Sequence, residues 1–311
     1  TMRGGTVSTA LHHTAQVHPA NTLFYDGPSR RSLSYAECWE SVRHHRNWLT
    51  SQIVRQIAVS ATAKQTRHRQ LIGPEHAVVE VIVAYLATNS ADYLLSVLAC
   101  TDTVEHLSSL FNNNSCVRVR PALLNYRWTD GEIFRALRVQ EPKSAASGST
   151  KHITIILCGH GFEQVARKVV GIIETDAAQI ARCHFAVSIR LPNFVDDCAQ
   201  DESYKESAPL HHAHISSEDK GRSCSGSGAD DALILFTSGT SSSFGAKGVR
   251  LSHNSLTVQA MAKLCPPCSY DAQTNMVAST VPFFHVGGIS SALAVVMAGG
   301  TLTFPTAKTG W

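Results

Sequence analysis

Long apolar segments, charge of one sign and paired cysteines are all scarce in this sequence of 311 residues, and each scarcity removes a class of protein. A membrane-spanning helix needs about 20 consecutive apolar residues, whereas the best candidate, VVEVIVAYLA (78–87), is short and contains Glu80. The formal net charge of +3 is too small to indicate nucleic acid or an anionic membrane as a partner. Residues 1–20 also lack the apolar stretch of a secretory signal.

The nine cysteines are scattered along the chain, which is typical of free thiols in a reducing, intracellular compartment. Only CPPC, at 265–268, has C-x-x-C spacing, and no second pair exists to complete a zinc site. We therefore interpret CPPC as a loop stiffened by proline, and we assign no metal ligands.

Short β-branched runs alternate with amphipathic stretches, and this alternation predicts an α/β fold with a mostly parallel sheet covered by helices on both faces. Two helix starts have the spacing of a capping box, Ser34 with Glu37 and Thr129 with Glu132. Residues 101–115 are expected to form a loop insertion. Residues 196–231 are rich in Ser, Gly and acidic groups and are expected to form a flexible polar linker.

The segment TSGTSSSFGAKG (237–248) follows an apolar run and combines small hydroxyl residues, glycines and one lysine. Glycines let the backbone approach a ligand, successive backbone N–H groups can converge on an anion, and Lys247 would add a mobile positive charge. These properties predict a phosphate-binding loop. On composition alone, a flexible Ser/Gly loop without a ligand is an equally good interpretation.

This loop differs from the P-loop of kinases and GTPases, in which a Ser or Thr follows the lysine and the loop leads into a helix. Here Gly248 follows Lys247, and the next residues predict a strand before a helix capped by Ser252. The expected order is therefore strand, loop, strand and helix.

The stretch LILFTSGT…KGVRLSHNSL resembles the signature of the adenylate-forming superfamily, which includes acyl-CoA synthetases, luciferases and peptide-synthetase adenylation domains. That signature is roughly T-S-G-T-T-G-x-P-K-G-V followed by x-x-[ST]-H-x-N-L. Three further segments resemble family motifs in the same order: 18–40, 89–128 and 281–305. Within the family, LNYRW and HVGGISSALAVVMAGG are most similar to the plant and algal o-succinylbenzoate–CoA ligases.

The resemblance implies an AMP-forming acid–thiol ligase that uses ATP, Mg²⁺ and coenzyme A and activates a carboxylic acid, expected to be aromatic. It implies stacked α/β layers, with a first subdomain at 1–195 and the phosphate loop and start of an acyl pocket at 232–311. A plastid or a peroxisome is implied by resemblance alone. The implied phosphate-binding residues are Thr237, Ser238, Gly239, Thr240, Ser241, Ser242, Lys247 and Gly248. The implied acyl pocket contains His285, Gly287 and Gly288, with Lys247 and His285 as catalytic residues.

For His285, the competing interpretation is a core histidine bonded to a backbone carbonyl. His253 is expected to support a helix start and to touch no substrate. The phosphate loop departs from the family, because SSSFGA supplies six residues between Thr240 and Lys247 where the family has four, and Ala246 replaces the usual proline.

The family's later motifs and its C-terminal lid domain are not found before Trp311. We therefore expect residues 1–311 alone to be inactive, with an exposed sheet edge near 280–311. Two alternatives stay open: a non-catalytic fragment that binds nucleotide or a partner, and an enzyme that adenylates amino or fatty acids.

Overall fold

The computed structural model describes residues 6–27, 30–65, 77–110, 115–138, 150–179, 184–192, 231–237, 246–278 and 280–305. These residues form seven helices: α1 (Val7–Val17), α2 (Tyr35–Gln65), α3 (Ala91–Leu110), α4 (Asp130–Arg138), α5 (Glu163–Gln179), α6 (His253–Leu264) and α7 (Val286–Ala298). They also form ten strands: β1 (Thr22–Asp26), β2 (Arg31–Ser34), β3 (Ala77–Leu86), β4 (Ser115–Leu123), β5 (Thr150–Cys158), β6 (His184–Arg190), β7 (Asp231–Thr237), β8 (Lys247–Ser252), β9 (Asn275–Val277) and β10 (Thr301–Phe304). The predicted linker at 196–231 lies outside the described residues, apart from Asp231.

Six strands form the larger sheet in the order β6-β5-β3-β4-β7-β8. All neighbours are parallel except β7 and β8, which are antiparallel. The predicted α/β class and the parallel sheet are therefore confirmed.

Apolar side chains leave both faces of this sheet, as expected for parallel strands buried between helices. On one face, Val81, Val83 and Tyr85 of β3 join a core that includes residues of α2 and α3. On the other face, Ala84 and Leu86 pack with apolar residues of α4 and α5.

The smaller sheet has the order β2-β1-β10-β9. It places two strands from the beginning of the described chain beside two strands from its end. The strands β1 and β2, which lie within the segment 18–40 that resembles a family motif, form an antiparallel pair before α2. The buried hydroxyl of Tyr35 fixes this arrangement, because it donates to the carbonyls of Val295, at 3.1 Å, and Gly300, at 2.8 Å.

Both predicted capping boxes are present. The carboxylate of Glu37 accepts from the amide and the hydroxyl of Ser34, each at 2.7 Å. Glu132 accepts from the amide of Thr129 at 2.8 Å and from its hydroxyl at 2.9 Å. These bonds satisfy backbone donors that a helix start leaves without an intrahelical partner.

The loop expected at 101–115 is wrong, because α3 continues to Leu110. The hydroxyls of Thr101 and Thr103 donate to the carbonyls of Leu98, at 2.7 Å, and Ala99, at 2.9 Å, so that these polar residues are accommodated within the helix. None of the helices in the described ranges is long and apolar enough to cross a membrane.

Candidate functional site

The carboxyl ends of β3, β4, β5 and β7 lie at the same edge of the larger sheet, because these strands run in parallel and in register. Open α/β sheets bind ligands outside this edge. Three segments that carry sequence motifs meet here: the loop after β4, the end of β7, and residues 278–285 before α7. We call these three segments the carboxyl-edge site.

Thr237 and Lys247, the two ends of the predicted phosphate loop, face each other across the antiparallel pair β7–β8. The hydroxyl of Thr237 donates to the carbonyl of Lys247 at 3.3 Å, and both residues are exposed. Gly248 pairs with Phe236 one step further along the ladder. The strands β7 and β8 and the helix α6 follow one another in the predicted order, and residues 238–245 between the two strands lie outside the described residues. The other predicted phosphate-binding residues, Ser238, Gly239, Thr240, Ser241 and Ser242, lie outside the described residues.

The LNYRW loop after β4 contacts both of the other segments of the site. The ring of Trp128 meets that of Phe236 edge-on, with centroids 5.7 Å apart. The ring of Tyr126 meets that of Phe284 edge-on at 5.4 Å. Edge-to-face ring pairs add stabilisation beyond the area that they bury. The loop therefore joins the strand that leads to the phosphate loop with the residue that precedes His285, a role that the motif gave no means of predicting.

His285 is the N-cap residue of α7, and its backbone carbonyl accepts from Gly288 and Ile289 at 3.0 and 3.1 Å. Its side chain is exposed and makes no capping hydrogen bond, and its ring lies 4.6 Å from that of Phe284. The interpretation as a core histidine is therefore wrong. The positive end of the α7 dipole lies beside the imidazole, which favours an anionic group at this position.

The two glycines after His285 have different surroundings. Gly287 is exposed, and a Cβ added there would have Val281 Cγ1 as its nearest neighbour, at 3.9 Å. Gly288 is buried, and a Cβ there would overlap the carbonyl oxygen of Pro282 and lie 2.7 Å from that of Val281. The resemblance implies an acyl pocket at both glycines, where the missing side chains would leave room for a substrate. At Gly288 this is wrong, because the protein backbone already fills the space.

Asn89, in the loop between β3 and α3, holds the segment that leads to His285. Its side-chain amide donates to the carbonyls of Ala278 and, at 3.0 Å, Val281. Its side-chain oxygen accepts from the amide of Phe283 at 2.8 Å. The motif NSADYLLSVLAC pointed to the family without indicating this role, because the partners of Asn89 lie about 190 positions further along the chain.

His253 is buried at the start of α6, where its Nδ1 accepts from the backbone N–H of Val7 at 3.1 Å. This bond ties α1 to the helix that follows β8 and agrees with the structural role expected for His253. Within the described ranges, no group of three or more His, Cys, Asp or Glu side chains could hold a metal ion.

A protein-family model described as "AMP-binding enzyme" matches residues 117–310, which is well over half of the chain. The chloroplastic/peroxisomal 2-succinylbenzoate–CoA ligase of Arabidopsis thaliana is 38% identical over 72 residues, which are 23% of this chain and 12% of that protein.

Two solved structures resemble the whole described fold. The inhibitor-bound N-terminal domain of FACL13 from Mycobacterium tuberculosis has a TM-score of 0.56 at 15% identity, over 96% of this chain and 57% of that one. The o-succinylbenzoate coenzyme A synthetase (MenE) from Bacillus subtilis, in complex with ATP and magnesium ion, has a TM-score of 0.51 at 15% identity, over 95% of this chain and 44% of that one. The chain thus spans about half the length of these structures, and at this identity the likeness shows a shared fold.

Proposed function

Because the chain belongs to the AMP-binding enzyme family, we propose that it carries the phosphate loop and part of the acyl pocket of an AMP-forming acid–thiol ligase. In the first half-reaction, a carboxylate oxygen attacks the α-phosphorus of ATP and pyrophosphate leaves. In the second, the thiol of coenzyme A attacks the acyl carbon, AMP leaves and a thioester forms. Both steps require mainly that the reactants be positioned and that charge on the phosphates be neutralised.

The observation that carries this proposal is the pairing of Thr237 with Lys247 at the carboxyl edge of the sheet, within the segment that the family model matches. Thr237 and Lys247 are both exposed there. The ammonium group of Lys247 can donate to phosphate oxygens, and the hydroxyl of Thr237 can do so when it gives up its long bond to the carbonyl of Lys247. Residues 238–242 would supply further hydroxyl and backbone N–H donors, and Gly248 would let the backbone come close. Mg²⁺ would arrive with ATP as part of the substrate.

His285 and the first turn of α7 would orient the carboxylate, because an imidazole donor and the positive end of a helix both favour an anion. The exposed Gly287 would leave room beside them for the acyl group. The rings of Phe284 and Tyr126 are edge-on neighbours at this site. Together with the short match to the plant ligase, they support an aromatic keto-acid such as o-succinylbenzoate as the substrate. A plastid or a peroxisome as the location is supported by that short match alone.

ATP binding by the 311-residue chain, measured by titration calorimetry with Mg²⁺ present, tests the phosphate loop. We expect Lys247→Ala to weaken binding at least tenfold, because a charged partner of the phosphates is lost. Lys168→Ala is a matched control, since Lys168 is exposed on α5 and is not part of the site. Unchanged affinity in Lys247→Ala would remove the proposed role of this lysine.

The complete gene product should also exchange labelled pyrophosphate into ATP when an aromatic keto-acid is supplied. Exchange with amino or fatty acids instead would favour the other adenylating activities.

A non-catalytic nucleotide-binding protein is the second candidate. The six residues of SSSFGA and the replacement of proline by Ala246 favour it, because two extra residues change which N–H groups can converge on a phosphate. ATP binding that depends on Lys247, without pyrophosphate exchange by the complete gene product, would establish this role.

A further inference from the structure

The CPPC segment forms a closed turn directly after α6 and presents two free, exposed thiols, Cys265 and Cys268. The backbone N–H of Ser269 donates to the carbonyl of Cys265 at 3.0 Å. A hydrogen bond between residues i and i+4 closes one turn of chain, so that residues i and i+3 are held close together. A disulfide requires its two Cα atoms to lie roughly 4.4–6.8 Å apart, so the two cysteines must be brought together by a closed turn of this kind.

The turn is anchored to the body of the protein at both ends. The backbone N–H of Tyr270, after the turn, donates to the carbonyl of Lys263, before it, at 2.9 Å. The ammonium group of Lys263 donates to the hydroxyls of Ser290, at 2.6 Å, and Ser291, at 2.7 Å, on α7. A turn that is held in this way loses less conformational freedom when its two thiols are joined than a free peptide would.

The surroundings of these thiols differ from those of three other cysteines. Cys38, Cys100 and Cys158 are buried, and burial raises the pKa of each of these thiols, which keeps them protonated and unreactive. Cys265 and Cys268 are exposed instead. Burial lowers the pKa of the neighbouring Lys263 ammonium group, and the electrostatic influence of Cys268 opposes that shift, so these two side chains lie close to each other. The exposed thiols are open to disulfide exchange, in which a thiolate is the nucleophile.

We propose that Cys265 and Cys268 form a reversible dithiol–disulfide site that reacts with low-molecular-weight disulfides. One thiolate attacks a sulfur of the small disulfide, forms a mixed disulfide and releases one small thiolate. The second protein thiolate then attacks the protein sulfur of that mixed disulfide and releases the second small thiolate. The protein loses two electrons and two protons, and the small disulfide is reduced to two thiols.

The site is tested by equilibrating the 311-residue chain in buffers of oxidised and reduced glutathione, then alkylating the free thiols and digesting with trypsin. The tryptic peptide 264–308 contains Cys265 and Cys268 and no other cysteine. We expect two alkyl groups on this peptide when it comes from the reduced chain. From the oxidised chain we expect no alkyl group, and a peptide mass that is lower by two hydrogens than that of the unmodified dithiol peptide. Cys268→Ser should retain one glutathione on Cys265, because the second exchange step has lost its nucleophile.

A synthetic peptide of residues 262–272 separates a folded site from the chemistry of any C-x-x-C sequence. We expect the equilibrium constant for forming the disulfide to be at least tenfold larger in the chain than in the peptide, which corresponds to about 30 mV for this two-electron couple. Equal constants would overturn the proposal. So would two separate glutathione adducts on the wild-type peptide 264–308, or pairing of either cysteine with a third.

Discussion

The side-chain oxygen of Asn89 accepts a hydrogen bond from the backbone N–H of Phe283 at 2.8 Å, although the two residues are 194 positions apart in the sequence. With its two donations to Ala278 and Val281, this bond connects the loop after β3 to the segment that ends at His285. Asn89 therefore acts as a positioning residue for the carboxyl-edge site, since it holds the backbone that presents the imidazole.

We expect Asn89→Asp to loosen this segment although the shape of the side chain hardly changes. The carboxylate can still accept from Phe283, but it has no protons for the carbonyls of Ala278 and Val281 and would face them with negative charge. The bond to Ala278 is partly buried and the bond to Val281 is exposed, so the loss should lie at or below the cost of about 1–3 kcal/mol for a fully buried unsatisfied polar group. Hydrogen exchange should accelerate in residues 278–285, and the complete gene product should show a raised KM for its acid with a smaller change in kcat.

Asn254→Asp is the matched control, because Asn254 is exposed in the first turn of α6. Equal exchange rates at 278–285 in wild type and Asn89→Asp would show that the three hydrogen bonds do not hold the segment.

Local patterns predicted the parts of the fold that depend on neighbours in sequence. The Ser34–Glu37 and Thr129–Glu132 boxes follow from a spacing of three residues, and the alternation of strands with helices follows from short β-branched runs. The contacts that assemble the site depend on distant residues instead. Asn89 with Phe283, and Trp128 with Phe236, are adjacent only because parallel strands end at one edge of the sheet.

The helix α1 was not predicted, and the second half of α3 was predicted as a loop, for a related reason. Thr101 and Thr103 have low helix propensity, and α1 is rich in Ser, Thr and His, so the local signal for a helix is weak. Tertiary contacts decide in favour of the helix in both places. The buried Leu107 packs into the core from α3, and the amide of Val7 is bound by His253.

Alanine substitutions of the two glycines at the start of α7 should distinguish a glycine that packing requires, Gly288, from one that has open space beside it, Gly287. Gly288→Ala forces a methyl group against the backbone of Val281 and Pro282, and overpacking of this kind costs typically about 1–3 kcal/mol. Gly287→Ala meets only Val281 Cγ1 at 3.9 Å, and removing a helical glycine can stabilise by up to about 1 kcal/mol. Urea unfolding should therefore show a lower midpoint for Gly288→Ala and an equal or higher midpoint for Gly287→Ala. The same midpoint in both variants would contradict the distinction.

His45 should make the stability of the fold depend on pH. Burial lowers the pKa of His45 to about 4, although its hydrogen bond to the carbonyl of Ser41 opposes this shift, and neighbouring His44 adds to it. The Asp92 carboxylate, 3.7 Å from Nε2, favours the charged form, but burial outweighs it. The unfolded pKa is about 6.5, so the unfolded chain binds more protons between these values, and stability is complete above pH 6.5 and falls towards pH 4.

The lowered pKa of about 4 corresponds to a loss of up to about 3 kcal/mol between pH 6.5 and pH 4. We expect His45→Asn to be less stable at neutral pH but to show a shallower decrease in the free energy of unfolding over that range. His13→Gln, at an exposed position of α1, should keep the wild-type slope. An unchanged slope in His45→Asn, measured by urea unfolding at a series of pH values, would assign the pH dependence to other groups.

Glu80, the acidic residue within the apolar run of β3, should be far more important for stability than an exposed acidic residue. It is 8% exposed, and its carboxylate lies 3.5 Å from Arg120, 3.6 Å from Arg118 and 3.8 Å from His152 on the neighbouring strands. Removing one partner of a buried ion pair can cost about 3–5 kcal/mol. The loss at Glu80 should be smaller than that, because Arg120 keeps its bond to Asp231 at 3.0 Å and Arg118 is half exposed. Glu40→Ala is the control, since the Glu40–Arg43 pair at 2.9 Å is exposed and such pairs contribute about 0–1 kcal/mol. We therefore expect Glu80→Ala to lower the free energy of unfolding by several times as much as Glu40→Ala, and equal losses in denaturant titrations would show that the charges around Glu80 are effectively solvated.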